Sequence, residues 1–330
     1  MSKFCKMTQV FVSSVDSKIA SAVQKLLPSV NVVDVDINLS ASDKSNIEEN
    51  AEILLADTPV IIDLAGKAKK LKWAASTWAG VERLIKEIGK EKPPGFTVTR
   101  MGGAYSRVMG EYVLGYILTK ERFIIEVAKD QETQSWNNLK HRNYRNLAEL
   151  TIGILGVGDI GQEVARLCNA VGMTVIGVTR TEPTEEKKSQ AVSQYRLMSE
   201  LPSVLKDCDY VCNILPSTPE TRGTLSGDIL SHCKNKKSIF INIGRGDIID
   251  EQSLITALKE GWIGGAVLDV FQKEPLPKES PLWSLPGVVI TPHIAGATQA
   301  NLVASSFVDN YKLFIENKPL KYQVDFQQGY

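Results

Sequence analysis

Residues 150–183 read LTIGILGVGDIGQEVARLCNAVGMTVIGVTRTEP, and this stretch decides the fold. The apolar run Thr151–Leu155 is typical of a strand, and the glycines Gly156, Gly158 and Gly161 that follow it form a G-x-G-x-x-G motif. After the last glycine, apolar residues recur at helical spacing, and a second apolar run closes the unit. A motif that joins a strand to a helix inside a βαβ unit is the context in which these glycines bind a dinucleotide.

Each glycine of the motif has its own physical role in such a unit. Gly156 allows the tight turn, Gly158 lets the backbone approach a pyrophosphate, and Gly161 lets the helix pack closely on the strand. The amides of Asp159 and Ile160 lie at the helix N-terminus, where they are expected to face the anion. The alternative is a packing turn that holds no ligand.

The end of the second strand indicates which dinucleotide binds. An acidic residue about 20 positions after the motif holds the ribose 2′-hydroxyl of NAD, whereas an arginine suits the 2′-phosphate of NADP. This chain has Thr179, Arg180 and Thr181 there. No carboxylate repels a phosphate, and the guanidinium can bind one through two parallel hydrogen bonds. The sequence therefore favours NADP(H); the alternative is that Arg180 is a solvated charge and that NAD(H) also binds.

The composition predicts a globular protein of two domains. The chain has 330 residues, 43% of them hydrophobic and 23% charged, and its 38 basic residues balance 38 acidic ones. Zero net charge predicts neither a nucleic-acid partner nor binding to an anionic membrane. No apolar run approaches the length of about 18 residues that spans a bilayer, and the N-terminus lacks a signal-peptide pattern, so we expect a cytoplasmic protein.

The five cysteines show no metal-binding or disulfide pattern. Cys208 and Cys212 are close in sequence but have no partner pair, so neither a zinc site nor any other metal site is expected. Together with Cys5, Cys168 and Cys233, they are interpreted as reduced core thiols.

Alternating strand and helix patterns predict an α/β fold on both sides of residue 102. In the first part we predict strands at Gln9–Ser13, Val30–Val35, Val60–Ile62, Leu71–Ala75 and Phe96–Thr99, and helices at Ser17–Leu27, Ser45–Ala56 and Val81–Ile88. This part lacks a glycine-rich phosphate loop, so it is not a second dinucleotide-binding domain. A long helix, Met109–Phe123, is expected to cross between the domains, and residues 126–147 are expected to be polar and irregular.

The βα alternation continues after the glycine motif. We predict strands at Met173–Val178, Gln194–Leu197, Asp209–Leu215, Ser238–Ile243, Gly265–Val270 and Val288–Ile290. The last helix, Asn301–Ile315, is expected to pack back on the first domain. The sequence therefore predicts a Rossmann-type, doubly wound dinucleotide-binding domain over residues 102–297 and a second α/β domain formed by residues 1–101 and 298–330.

Chemically useful side chains follow three of the later strands, where sites of open α/β sheets lie. Arg245 stands between two glycines in the segment NIGRGD, and its guanidinium can hold a carboxylate or a polarised carbonyl. Asp269 ends an apolar strand, Glu274 follows in the next loop, and His293 comes directly after another strand. Histidine carries protons near neutral pH, and the other two histidines lie in polar, solvated segments.

These residues together predict the reduction of a 2-oxo acid. Arg245 would bind the carboxylate and the carbonyl of the substrate while a dihydronicotinamide delivers a hydride to the carbonyl carbon. His293 would donate a proton to the oxygen, and Glu274 would keep the imidazolium charged and oriented. Elsewhere, the small residues in Ser76–Val81 can expose amides to a substrate carboxylate, although this segment could also be a plain turn.

Four ordered segments resemble one known family over nearly the whole chain. The glycine motif, NIGRGD at 242–247, AVLDVFQKEPLP at 266–277 and TPHIAGAT at 291–298 are similar to those of the D-isomer-specific 2-hydroxyacid dehydrogenases. Within that family, SPLW at 280–283 and the tail 323–330 most resemble the bacterial type A glyoxylate/hydroxypyruvate reductases. Two positions depart from the family pattern, because Gln272 stands where an acid is often found and Thr179 replaces the ribose-binding acid.

The resemblance implies a catalytic set of Arg245, Glu274 and His293, with Asp269 assisting electrostatically. It implies a flavodoxin-like substrate domain formed by both chain ends, and a homodimer built through the cofactor domains. Trp136, in the family's dimerisation stretch, would either reach the partner's active site or only hold the interface. Substrate contacts are expected from Trp78, Ala79, Gly80, Arg245 and His293, with the amides of Ala79 and Gly80 on the carboxylate. Further cofactor contacts are expected near the strand ends, at Leu215, Pro216, Ile243, Gly244, Arg245, Asp269, His293 and Gly296.

Two other functions remain open at this point. The first is a NAD-linked D-2-hydroxyacid dehydrogenase of D-lactate or phosphoglycerate type. The Thr179–Arg180 pair and the lack of an added regulatory domain argue against it. A non-catalytic, nucleotide-sensing binding protein of the co-repressor kind is the second, against which the lack of a long disordered tail argues.

Overall fold

A computed structural model describes residues 9–89 and 93–327. The chain divides into two compact units. Unit 1 contains the described residues up to Ala104 and those from Thr298 onward, and unit 2 is Tyr105–Ala297. Within the described ranges, none of the helices combines the length and the apolar character that crossing a bilayer requires.

Unit 1 is built on a parallel sheet of five strands. The strands are β1 (Gln9–Ser13), β2 (Asn31–Asp34), β3 (Ile53–Ala56), β4 (Trp73–Ser76) and β5 (Thr97–Thr99), in the order β2-β1-β3-β4-β5. The helices are α1 (Lys18–Leu26), α2 (Ala41–Asn50), α3 (Thr58–Leu64) and α4 (Glu82–Ile88), with α11 (Ala300–Ile315) from the end of the chain. This order is the flavodoxin-like one, so the predicted fold class is confirmed for this unit.

Unit 2 is built on a parallel sheet of seven strands. The strands are β6 (Thr151–Leu155), β7 (Thr174–Thr179), β8 (Gln194–Leu197), β9 (Tyr210–Asn213), β10 (Ile239–Asn242), β11 (Gly265–Leu268) and β12 (Val288–Ile290), in the order β12-β11-β10-β9-β6-β7-β8. The helices are α5 (Ser106–Glu121), α6 (Ile124–Glu132), α7 (Asn138–His141), α8 (Asp159–Ala170), α9 (Leu201–Asp207) and α10 (Glu251–Lys259). The doubly wound order of a Rossmann fold is present with one added strand, which confirms the predicted class.

Two predicted elements of unit 1 are wrong. Val60–Ile62, predicted as a strand, lies inside α3, because Pro59 occupies the first turn of a helix, where its missing N–H is not needed. Ser45–Ala56, predicted as one helix, is a helix that ends at Asn50 followed by the strand Ile53–Ala56. All residues of that strand are buried, so it lacks the alternating pattern that distinguishes a half-buried strand from a helix.

Residues 126–147 are more regular than predicted, because α6 and α7 occupy part of this segment. Neither helix has a buried residue, so neither shows the apolar stripe by which a core-facing helix is recognised. The apolar side chains here face outward instead, and Trp136 is 90% exposed.

The cysteines of the described ranges are buried in unit 2 as free thiols: Cys168, Cys208, Cys212 and Cys233. Burial raises the pKa of Cys168 to about 12 and that of Cys233 to about 11, so these groups stay protonated at neutral pH. Cys5 lies outside the described residues.

The last helix, α11, packs within unit 1, as the sequence predicts. Its Phe307 stacks on Trp73 of β4 with ring centroids 5.0 Å apart. The indole N–H of Trp73 donates to the Thr99 hydroxyl of the neighbouring strand at 2.9 Å. A buried aromatic pair therefore joins the C-terminal helix to strand β4 of the sheet.

Candidate active site

The glycine loop after β6 has the close contacts that the motif predicts. Gly156 has φ +97°, in the left-handed region that favours glycine. A Cβ atom on Gly161 would lie 2.2 Å from the carbonyl oxygen of Gly156, so only glycine allows α8 to approach the loop this closely. At Gly158, by contrast, a Cβ atom would meet nothing within 4 Å. The protein itself does not require glycine there, which fits a position kept open for a ligand.

The start of α8 fits an anionic group beside Gly158. The first helical hydrogen bond after this residue runs from the N–H of Gln162 to the Gly158 carbonyl at 2.8 Å. The amides of Asp159, Ile160 and Gly161 therefore precede the helical bonding pattern and point out of the helix N-terminus. Such amides, with the helix dipole behind them, suit the pyrophosphate of a dinucleotide.

The end of β7 carries a buried hydroxyl without a partner. The Oγ1 atom of Thr179 is buried and makes no hydrogen bond to any described residue. Arg180 and Thr181, which follow it, are exposed. Because buried polar atoms are normally hydrogen-bonded, the unpartnered hydroxyl fits a ligand that binds at this strand end.

The loop that carries Arg245 is held by two fully buried asparagines at the ends of β9 and β10. Asn213 donates from Nδ2 to Oδ1 of Asn242 at 2.9 Å, and Asn242 donates from Nδ2 to the Arg245 carbonyl at 3.1 Å. The amide of Gly244 donates to Asn242 Oδ1 at 3.3 Å. A Cβ atom on Gly246 would overlap the backbone of Phe271, so the neighbouring loop leaves room only for glycine. The backbone on both sides of Arg245 is therefore closely constrained.

His293 and Glu274 form a hydrogen-bonded pair. The Nδ1 atom of His293 lies 2.8 Å from Oε2 of Glu274, and the other carboxylate oxygen accepts the N–H of Phe271 at 2.9 Å. Because a carboxylate only accepts, Nδ1 carries a proton in this arrangement and Nε2 is the nitrogen left to exchange a proton with a substrate. The His293 side chain is 55% exposed, which leaves Nε2 accessible. The pair has the geometry of an oriented general acid.

Asp269 holds the loop on which His293 lies. Its carboxylate, 1% exposed, accepts the N–H of Ile294 at 2.8 Å and that of Ala295 at 2.9 Å. The backbone carbonyl of Asp269 accepts the His293 N–H at 2.9 Å. His293 has φ +55°, a left-handed backbone conformation that residues other than glycine adopt only when their surroundings impose it. The geometry thus gives Asp269 a direct part in placing the histidine.

A chain of hydroxyl groups continues from Asp269 to α5. Thr291 donates its hydroxyl to Asp269 Oδ1 at 2.5 Å, so its oxygen accepts the phenol of Tyr112 at 2.6 Å. Burial raises the pKa of Tyr112, which keeps the phenol a donor. Neither Tyr112 nor Asn213 was predicted from the sequence, because their partners are far away along the chain.

In unit 1, the segment after β4 contains two backbone amides that lack an acceptor in the described part of the chain. The N–H of Trp78 donates to the Ser76 hydroxyl at 3.0 Å, and the Trp78 carbonyl accepts the N–H of Met101 at 2.9 Å. Among the described residues, the amides of Ala79 and Gly80 have no acceptor. The two amides that remain available are those predicted to bind the substrate carboxylate.

The other predicted cofactor contacts lie in loops after the strands of unit 2. The N–H of Leu215 donates to Asn213 Oδ1 at 3.2 Å, and the carbonyl of Pro216 accepts the Thr221 hydroxyl at 2.6 Å. Ile243 is buried beside Gly244, and a Cβ atom on Gly296 would lie 3.0 Å from the sulfur of Met109. No group of three His, Cys, Asp or Glu side chains in the described part of the chain is arranged to hold a metal ion.

The two remaining histidines lie elsewhere. The Nε2 atom of His141 pairs with Asp130 Oδ2 at 2.7 Å, which joins α7 to α6. His232 lies in a short 3₁₀ helix at Ile229–Cys233. Neither is part of the loops described above.

Known proteins match both the sequence and the fold. A family model described as "D-isomer specific 2-hydroxyacid dehydrogenase, NAD binding domain" matches residues 114–295, more than half of the chain. A D-3-phosphoglycerate dehydrogenase of Methanocaldococcus jannaschii is 32% identical over 277 residues, which cover 83% of this chain but only 51% of that protein. The chain therefore spans about half the length of that relative.

Two further proteins match over most of their length. Glyoxylate/hydroxypyruvate reductase A of Yersinia enterocolitica is 32% identical over 265 residues, 79% of this chain and 82% of that protein. The crystal structure of an NADPH-dependent glyoxylate/hydroxypyruvate reductase of Sinorhizobium meliloti, in complex with NADP and sulfate, superposes with a TM-score of 0.80 at 27% identity. The match covers 98% of this chain and 100% of that one.

Proposed function

The chain belongs to the D-isomer-specific 2-hydroxyacid dehydrogenase family, and on that premise we propose that it reduces small 2-oxo acids of the glyoxylate/hydroxypyruvate type with NADPH. The products are D-2-hydroxy acids. The family consists of NAD(P)-dependent oxidoreductases. The observation that carries the proposal is the His293–Glu274 pair, because a histidine whose Nδ1 is held by a carboxylate can donate a proton from Nε2.

In the proposed reaction, Arg245 binds the carboxylate and carbonyl oxygens of the substrate through its planar guanidinium. When bound, the dihydronicotinamide supplies the hydride that reduces the carbonyl carbon. His293 donates a proton from Nε2 to the carbonyl oxygen, and Glu274 stabilises the imidazolium before this transfer. The amides of Ala79 and Gly80 bind the substrate carboxylate, and Trp78 contacts the substrate.

The preference for NADPH is supported by the end of β7. Thr179 stands where an acid would otherwise bind the ribose, and its buried hydroxyl lacks a protein partner among the described residues. Arg180 is exposed beside it and supplies positive charge for a 2′-phosphate. The Sinorhizobium meliloti reductase, which shares this fold, binds NADP. NAD(H) is the weaker ligand in this proposal, and the glycine loop holds the pyrophosphate of either one.

We assign cofactor binding to residues 102–297 and the substrate-carboxylate loop to the domain formed by residues 1–101 and 298–330. We also propose a cytoplasmic homodimer that forms through the segment containing α6 and α7. Its exposed apolar side chains are Ile124, Ile125, Val127, Trp136 and Leu139. Several large exposed apolar side chains in one segment of the chain are typical of a protein interface.

An initial-rate panel tests the proposed activity. Glyoxylate, hydroxypyruvate, pyruvate and a bulkier 2-oxo acid are each assayed with NADPH and with NADH. We expect the highest kcat/KM for glyoxylate or hydroxypyruvate with NADPH. No turnover of any 2-oxo acid with either cofactor would refute the proposal.

A second candidate is a NAD-linked enzyme of the phosphoglycerate type. The Methanocaldococcus jannaschii relative is as similar as the Yersinia enterocolitica reductase, at 32% identity each, so identity does not separate the two functions. Adding 3-phosphohydroxypyruvate with NADH to the panel separates them. A higher kcat/KM for this pair than for glyoxylate with NADPH would establish the second candidate instead.

A further inference from the structure

Asp57 of unit 1 is a fully buried acid whose side chain is directed away from its own helix. It stands at the N-cap position of α3 but makes no side-chain cap bond. Its Oδ2 atom accepts the N–H of Val15 at 3.0 Å, and its Oδ1 atom accepts the hydroxyl of Thr77. Burying a carboxylate is unfavourable unless hydrogen bonds compensate, so these two bonds account for its presence in the core.

Thr58, the residue after Asp57, also forms a side-chain hydrogen bond to the end of β4. The hydroxyl of Thr58 lies 3.1 Å from that of Ser76, and the Ser76 oxygen accepts the N–H of Trp78 at 3.0 Å. The polar side chains of this cluster are all 0% exposed: Asp57, Thr58, Ser76 and Thr77. Since β3 and β4 pair in parallel with Ala56 opposite Ser76, the cluster joins the carboxyl ends of two adjacent strands.

The cluster determines which amides of the following loop remain free. The Ser76 hydroxyl accepts the N–H of Trp78, and the Thr77 hydroxyl donates to the Asp57 carboxylate. The next two amides, at Ala79 and Gly80, are then left without an acceptor in the described part of the chain. We infer that Asp57, acting through Thr77, is a positioning residue that holds these two amides where they bind the substrate carboxylate.

This inference rests on the proposed function, because it assigns a substrate carboxylate to the loop. A purely structural role would lower stability without changing how the loop binds a carboxylate. The two roles therefore separate in the affinity for a carboxylate ligand, measured on protein that is shown to be folded. Oxalate, a small dicarboxylate related in shape to glyoxylate, provides this probe in the absence of turnover.

The experiment compares Thr77→Val with Thr77→Ser in the full chain with NADP⁺ bound. Valine removes the donor to Asp57, and serine retains it. We expect Thr77→Val to weaken oxalate binding in calorimetry by about tenfold or more, the scale of a lost hydrogen bond to a charged group. The KM for glyoxylate should rise by a similar factor, and kcat should change less. Thr77→Ser should restore most of the oxalate affinity, and the Kd for NADPH should stay within about twofold throughout.

Asp63→Asn provides a matched control. Asp63 lies on the same helix and pairs with Lys44 and Lys67 at the surface, so its loss should leave oxalate affinity and KM unchanged. If Thr77→Val does not fold, Thr77→Ala serves as the second variant, because it also removes the donor to Asp57 and should weaken oxalate binding in the same direction.

The outcomes separate this inference from the proposed function. Folded Thr77→Val or Thr77→Ala with wild-type oxalate affinity and a lower unfolding midpoint would overturn it in favour of a structural role. Wild-type protein that binds no oxalate would overturn it as well. Wild-type protein that binds oxalate but reduces no 2-oxo acid would refute the proposed function, and the oxalate comparison would still decide the role of Asp57.

Discussion

Replacing Asp269 with asparagine tests whether its carboxylate holds His293 in place. The two carboxylate oxygens accept three hydrogen bonds, from the N–H groups of Ile294 and Ala295 and from the Thr291 hydroxyl. Asparagine offers one oxygen, so its NH₂ group meets the N–H of either Ile294 or Ala295. The substitution therefore leaves at least one buried donor without an acceptor.

The size of the effect follows from these bonds. When the asparagine oxygen takes the place of Oδ1, which keeps two of the three bonds, the unsatisfied donor costs about 1–3 kcal/mol and the two remaining bonds each lose about 1 kcal/mol because the acceptor is neutral. The loop is then less stable by about 3–5 kcal/mol. The left-handed backbone of His293 is itself unfavourable by about 1–3 kcal/mol, so the loop relaxes once its support is weakened. Since a misplacement of about 1 Å reduces rates about 10²-fold, we expect kcat/KM to fall by about 10²- to 10³-fold.

The assay is NADPH oxidation with glyoxylate, with unfolding in urea measured on the same samples. Asp250→Asn is the matched control, because Asp250 accepts the N–H of Ser253 at 2.8 Å as the N-cap of α10, away from the His293 loop. Since asparagine caps a helix as well as aspartate does, this variant should lower the free energy of unfolding by less than about 1 kcal/mol and leave kcat/KM within about twofold. If folded Asp269→Asn retains kcat/KM within about threefold of wild type, the carboxylate does not hold the His293 loop.

Three other predictions concern separate parts of unit 2. His293→Ala should lower kcat by about 10²-fold or more, the scale of general acid catalysis, and near wild-type turnover would remove this residue from the mechanism. Arg180→Ala should weaken NADPH binding far more than NADH binding in a fluorescence titration, and equal losses would contradict a phosphate contact. Burial alone would raise the pKa of Glu121, but hydrogen bonds from Arg145 and Tyr210 outweigh it and lower the pKa below its ordinary value of 4.5. A carboxylate whose pKa is lowered by folding stabilises the protein at pH values above its ordinary pKa. This stabilisation is lost as the pH falls through the pKa of the folded state. Arg145→Met should therefore lower the free energy of unfolding by about 1.5–3 kcal/mol at pH 7 and reduce its decline below pH 4.5, measured by urea unfolding. An unchanged decline would show that this pair does not set the acid stability.

The fold could be predicted where a motif or a strong period marks it. The glycines after β6 place a strand, a turn and a helix in one step, and the boundaries of β6 agree with the prediction. The predictions for Ile53–Ala56 and Val60–Ile62 are wrong, because the first segment is buried on both faces and the second is rich in β-branched residues. Short apolar runs of this kind have no period that separates a strand from a helix.

The residues of the candidate site also fall into those that a sequence motif marks and those that it does not. The side chains to which we assign chemistry follow strands in recognisable segments, so Arg245, Glu274 and His293 could be proposed from the sequence. The residues that hold these segments could not, because their contacts are set by the sheet order. Tyr112 and its partner Thr291 are 179 positions apart, and no local pattern relates them.

A common physical arrangement connects the loops to which we assign chemistry. Each is fixed by a buried polar side chain at a strand end: Asn242 beside Arg245, Asp269 below His293, and Asp57 before the amides of Ala79 and Gly80. Apolar contacts alone would leave several backbone conformations of such loops accessible. Buried polar groups restrict them, because each departure leaves an unsatisfied donor or acceptor in a medium of low dielectric constant. Substitutions at these buried positions should therefore reduce catalytic efficiency more than their effect on stability suggests, since a loop that is only partly displaced still folds but no longer places its reacting atoms.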